Sequence, residues 1–132
     1  MKKPASIREY IEKDLVMFRP DTNVMSAIKT LIDYKISAAP VVDSDKKVIG
    51  IISEIDCIKP FLGASYYNEV GNLVSELMST SVVTVNAESS LMEVAQKFLD
   101  LRLRRFPVVE HGKFIGQISR RDVLRAIGKL SK

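Results

Sequence analysis

The chain has 132 residues, 46% of them hydrophobic and 27% charged, with a net charge of +4. That length supports one compact core, and the charge excess permits an anionic partner without demanding one. A single cysteine, Cys57, excludes an internal disulfide framework and a cysteine metal cluster, and a single histidine, His111, argues against zinc.

Met1-Lys2-Lys3-Pro4 leads into a charged amphipathic segment rather than an apolar signal. No apolar run approaches the roughly 18 residues of a membrane span. A reduced, cytoplasmic protein is therefore expected.

In chain order, a short helix is predicted to open at Ser6-Ile7-Arg8-Glu9, followed by an extended stretch at 15–18. Val24, Ala27, Ile28, Leu31 and Ile32 then follow the spacing of a helix that buries one face. A strand starts near Pro40, where a missing N–H costs no ladder bond. A polar turn at 43–47 leads to a second strand at 48–52, apolar throughout as in a buried strand. A helix at 54–59 is stopped by Pro60, and Cys57 within it reads as a small core hydrophobe. Residues 61–72 form a linker with Gly63, Tyr66, Tyr67 and Gly71.

The remainder repeats this order. A shift of 67 residues lays 7–42 on 74–109, and after a one-residue deletion in the turn a shift of 66 lays 47–56 on 113–122. The second copy has a short helix at 73–78, an extended stretch at 82–85, and an amphipathic helix with Leu91, Val94, Ala95, Phe98 and Leu99. Ser90 and Glu93 form a capping box at its start. Strands at 106–109 and 114–118 flank a turn at Glu110-His111-Gly112, and a helix at 120–127 is stopped by Gly128. Each copy is strand, helix, hairpin, helix.

Gly50-Ile51-Ile52-Ser53-Glu54-Ile55-Asp56 matches Gly116-Gln117-Ile118-Ser119-Arg120-Arg121-Asp122. Glycine admits a close backbone or ligand. Serine at a helix start can accept from backbone N–H groups or donate to an anion, and aspartate three residues on can accept both hydroxyls of a ribose diol. The same residues also make a plain capping box. Both readings stand.

This order, with Pro-Val-Val at 40–42 and 107–109 and the Gly-x-x-Ser-x-x-Asp pattern, resembles the cystathionine β-synthase-type (CBS) domain. The two copies look like a CBS pair, or Bateman module, covering about residues 6–128. The resemblance implies an α/β (α+β) fold of two β-α-β-β-α repeats, 6–60 and 73–128, packed face to face about a pseudo-twofold axis. It implies a regulatory adenine-nucleotide (AMP, ADP or ATP) site, homodimerisation through helices and no required cofactor. By the same resemblance Asp56 and Asp122 would hold ribose, and Ser53, Ser119, Arg104, Arg105, Arg120 and Arg121 would face phosphate. Met17, Phe18, Ser37, Ala38, Ala39, Thr84, Val85 and Phe106 would line the base pocket.

The copies differ in charge. Arg102, Arg104, Arg105, Arg120, Arg121 and Arg125 all fall in the second, while the first has Ser37, Ala38, Glu54 and Ile55 around its motif. Arginine offers a donor fork suited to phosphate, so the Asp122 site is expected to be the stronger. With the two clefts adjoining, as the resemblance implies, Arg104 or Arg105 could instead reach a ligand held by Asp56. No second histidine, glycine-rich phosphate loop or metal-ligand spacing points to catalysis. The alternatives are a dimerising protein-interaction module without ligand, an S-adenosylmethionine-type ligand, and nucleic-acid binding, the last disfavoured by the small net charge. An unidentified target protein remains an expected partner of a regulatory module.

Overall fold

The computed structural model describes residues 6–13, 15–62 and 72–130. Most of the expected linker, at 63–71, lies outside them, as do the first residues of the chain. Two compact units form, residues 16–82 and residues 1–15 with 83–132. Neither unit follows the sequence repeat, because each repeat donates its leading segment to the other unit.

The first unit contains α1 (Val24–Tyr34), the antiparallel hairpin β1 (Ala38–Val42) and β2 (Val48–Ser53), α2 (Glu54–Ile58) and α3 (Val74–Leu77). The Asn23 side chain caps α1 by accepting from the Met25 N–H at 2.8 Å. The extended stretch before α1 is reduced to a parallel bridge, Phe18 to Val41. Pro60 does not halt the chain at once, since a 3-10 turn, Lys59–Leu62, continues from α2. Its core gathers Phe18, Val24, Ala27, Leu31, Val41, Ile52, Cys57 and Val74. β2 is half-buried rather than buried throughout. Burial, then the Asp56 carboxylate, pushes the Cys57 thiol above its usual range.

The second unit contains a 3-10 turn, Arg8–Tyr10, then β3 (Val85–Asn86), α4 (Leu91–Leu101), β4 (Arg105–Glu110), β5 (Lys113–Ser119) and α5 (Arg120–Leu130). β3 runs parallel to β4, and β4 pairs antiparallel with β5. His111 and Gly112 both have positive φ, 53° and 77°, which suits a two-residue hairpin turn. The Ser90–Glu93 capping box is closed in both directions, at 3.1 and 2.8 Å. The core gathers Ile7, Ile11, Val85, Leu91, Val94, Phe98, Phe106, Ile118 and Val123. Arg8 ties the leading segment down by bonding Glu88 and Glu110.

Two further expectations change. Ile32 and Leu99, placed in the buried stripes of α1 and α4, are 68% and 74% exposed. Eight residues along a helix the side chain has turned roughly 80° from the first position of the stripe, which is enough to leave the core here. Gly128 does not stop α5, which runs to Leu130. A glycine inside a helix costs only about 1 kcal/mol, and the buried face of Val123 and Ala126 outweighs it. No helix among the described residues is long and apolar enough to cross a membrane.

The motif glycines admit backbone rather than ligand. A Cβ on Gly116 would lie 2.5 Å from the Glu12 carbonyl oxygen and from Ile11 Cγ2. One on Gly50 would meet the Met78 sulfur at 2.5 Å, with the Ser79 carbonyl at 3.0 Å. These crossings carry paired bonds, Glu12 with Gln117 (2.8 and 2.9 Å) and Ser79 with Ile51 (2.8 and 2.9 Å). Met78 can swing aside where the Glu12 backbone cannot. Gly116→Ala is therefore expected to cost about 2 kcal/mol, and Gly50→Ala about half that, in urea unfolding. Equal losses would contradict this picture.

Candidate functional site

Each repeated motif ends a strand and starts a helix. Ser53 closes β2 and caps α2; Ser119 closes β5 and precedes α5. In the first unit the Ser53 N–H donates to Asp56 Oδ2 at 2.9 Å, and the Asp56 N–H donates to Ser53 Oγ at 3.2 Å. In the second, the Ser119 N–H and hydroxyl donate to Asp122 Oδ2 at 2.8 and 2.9 Å, and the Asp122 N–H donates to Ser119 Oγ at 3.1 Å. Both motifs are thus capping boxes.

The caps differ in what they leave over. Asp56 is half-buried, and its Oδ1 has no hydrogen-bond donor among the described residues. The Ser53 hydroxyl likewise keeps its proton for another acceptor. Asp122 has no exposed surface, and its Oδ1 accepts from Arg125 Nη2. The Ser119 hydroxyl is spent on the same carboxylate.

A second acid stands beside Asp122. The Glu12 backbone pairs with Gln117 across Gly116 at 2.8 and 2.9 Å, which brings its carboxyl under the influence of Asp122, although Glu12 as a residue is exposed. Burial of the carboxyl, then the Asp122 charge, pushes it above its ordinary 4.5, against the pull of Arg105 and Arg125. Between that ordinary value and the raised one the folded chain holds more protons than the unfolded chain. Stability from this carboxyl therefore falls as pH rises through that window. Glu12→Gln is expected to unfold at higher urea than the parent at pH 7, with the gain shrinking as pH falls toward 4.5. A gain independent of pH would rule this out.

The residues assigned to the base pocket separate into two groups. The side chains of Phe18, Ala39, Val85 and Phe106 are buried in the two cores. Met17 and Ser37 are exposed, and Ala38 and Thr84 are half-buried, so these four keep accessible surface. Arg104, Arg105, Arg120 and Arg121 are all exposed and make no ion pair among the described residues. The Arg120 N–H donates to the Arg104 carbonyl at 3.1 Å, which joins the start of α5 to the segment before β4.

Glu12 and Arg125 escaped the sequence reading as site residues. Arg125 could have been found, since three residues along a helix places it on the face of Asp122. Glu12 carries no such signal, because it reaches the motif through a pairing with Gln117 made across most of the chain.

Comparison with known proteins fits this architecture. The family model of the CBS domain matches residues 7–63 and 74–129. The chloroplastic CBS domain-containing protein CBSX1 of Arabidopsis thaliana is 29% identical over 92% of this chain and 63% of its own length. Protein MJ1225 of Methanocaldococcus jannaschii is 26% identical over 92% of this chain and 42% of its own. The chain thus spans about two-fifths to three-fifths of these relatives. The crystal structure of CBSX2 in complex with AMP superposes with a TM-score of 0.82 at 26% identity, covering 97% of this chain and 99% of that one. Two matched copies, each with a helix, a hairpin and a final helix opened by a serine–aspartate cap, place the chain in the CBS domain family as a CBS pair.

Proposed function

We propose that this CBS pair is a regulatory module that binds an adenine nucleotide and has no catalytic role. One observation carries the reading: among the described residues, Asp56 presents a carboxylate oxygen without a donor, beside a Ser53 hydroxyl free to donate. A ribose diol needs the first and a phosphate oxygen the second. Met17, Ser37 and Ala38 keep accessible surface in the same unit and suit the base. That CBSX2 is known with AMP bound supports the adenine choice. AMP, ADP, ATP and an S-adenosylmethionine-type ligand share the ribose and the base, so the phosphate decides among them. The nucleotide acts as a regulatory ligand, and it can shift the module only by its differential affinity for two states.

Exposed apolar residues on the helices favour a second property, self-association. Ile32, Leu99, Met92 and Leu124 face outward, and an apolar groove of about 300 Å3 runs between α4 and α5, lined by Phe98, Leu99, Val123, Leu124 and Ile127. A helix from a second copy suits this groove.

A thermal-shift series with AMP, ADP, ATP and S-adenosylmethionine tests the ligand reading. A nucleotide at 100 times its dissociation constant adds about 2.7 kcal/mol to the folded state. A saturable rise with at least one adenine ligand is expected. No rise with any of them would leave the serine–aspartate pairs as helix caps and the chain as an interaction module.

A further inference from the structure

The two units differ around their acids at two positions, and both differences act on one carboxylate. Where the leading segment crosses the motif glycine, the second unit carries Glu12 and the first carries Ser79. Three residues after the aspartate, the second unit carries Arg125 and the first carries Lys59. Arg125 donates to Asp122 Oδ1, whereas Lys59 makes no ion pair with Asp56 among the described residues.

A diol binds an aspartate through two acceptor positions facing the ligand. Asp122 presents none to a ligand: Oδ2 takes the Ser119 N–H and hydroxyl, Oδ1 takes Arg125, and burial at 0% exposure withholds the acceptor site left on Oδ1. An entering ribose would have to displace the guanidinium and lie against the Glu12 carboxyl. A phosphate carried with it would meet added negative charge there. Asp56 faces neither obstacle.

We propose that Arg125 and Glu12 form a latch that closes Asp122 to ribose, so that the chain takes one nucleotide, at Asp56. This rests on the adenine-nucleotide reading of Asp56. It reverses the order of the two sites expected from charge alone. The exposed arginines of the second unit, Arg104, Arg105, Arg120 and Arg121, have no ribose anchor of their own while the latch is closed.

The test is calorimetric titration of AMP into the parent chain and into a variant that copies the first unit, Glu12→Ser with Arg125→Lys. The parent is expected to take one equivalent, unaffected by Asp122→Asn. The double variant is expected to take a second equivalent, lost again when Asp122→Asn is added. Arg125→Lys alone leaves the Glu12 crossing untouched, and is expected to give the same second equivalent at lower affinity. Two equivalents in the parent, loss of its one equivalent through Asp122→Asn, or no gain in either variant would overturn the latch. If the parent binds no AMP, the nucleotide reading of Asp56 fails separately. The latch is then judged on the variants alone, where a gain of one equivalent supports it and no gain overturns it.

Discussion

Replacing Phe106 with alanine is expected to lower stability by about 3–5 kcal/mol, the largest single loss available in the second unit. Phe106 has no exposed surface, and its ring meets that of Phe98 with centroids 4.5 Å apart. It sits on β4 beside Pro107 and opposite Ile118, so no neighbour can move in to fill the space without breaking the β4–β5 register. The truncation removes the transfer energy of a whole ring and leaves a cavity between α4 and the sheet. Urea unfolding of the variant reads the loss. A change under about 1 kcal/mol would mean that the site can collapse, and that Phe106 is not the core residue described here.

The two motif aspartates are expected to differ in the same assay. Asp122→Ala is expected to cost about 3 kcal/mol, because it removes a fully satisfied buried carboxylate and strands the Ser119 N–H that it accepts. Asp56→Ala removes only a half-buried cap, and about 1 kcal/mol is expected. Relief of the Glu12 contact works against the first loss and is gained only once, so Asp122→Ala combined with Glu12→Gln is expected to be less stable than the sum of the two single effects. Equal losses for the two single variants would mean that the carboxylates are equally engaged, contrary to the bonds seen at Asp122.

Much of the fold was legible because it is written in local patterns, and written twice. Residues 24–31 and 91–98 show the helical period, Ser90 and Glu93 mark a helix start, and the polar turns mark the hairpins. The left-handed ends of α1 and α4, at Lys35 and Arg102 with φ of 55° in each, even fall at matching positions of the repeat. Neither is a glycine, so neither announced a helix end. The exchange of leading segments was not legible. Glu12 pairs with Gln117, and Ser79 with Ile51, and pairings of that kind leave no trace in periodicity. The motif glycines hinted at a close approach without saying what approaches.

The candidate site divides in the same way. The serine–aspartate pairs and their helix starts follow from spacing, and both lie where the spacing puts them. What the spacing could not carry is the state of each carboxylate. Side chains from outside the motif set that state, namely Arg125 one helical turn on and Glu12 from the start of the chain. Arginine count favoured the second unit as the ligand site, yet one of those arginines is the group that occupies its acid. The buried place of Phe18, Ala39, Val85 and Phe106 was hidden for a related reason, since alternation along a strand assigns a face but not what covers it.

Equilibrium dialysis of AMP against the parent chain and Asp56→Asn bears most directly on the central claim. Asparagine keeps the size of the side chain and much of the cap, but loses the charge that draws the ribose hydroxyls. Each such bond to a charged group contributes about 1.5–3 kcal/mol, so two of them correspond to a loss on the order of 100-fold or more. The expected result is saturable binding by the parent and at least that loss in the variant, with the urea midpoint little changed. Equal AMP binding by the two proteins, or none by the parent, would contradict the account.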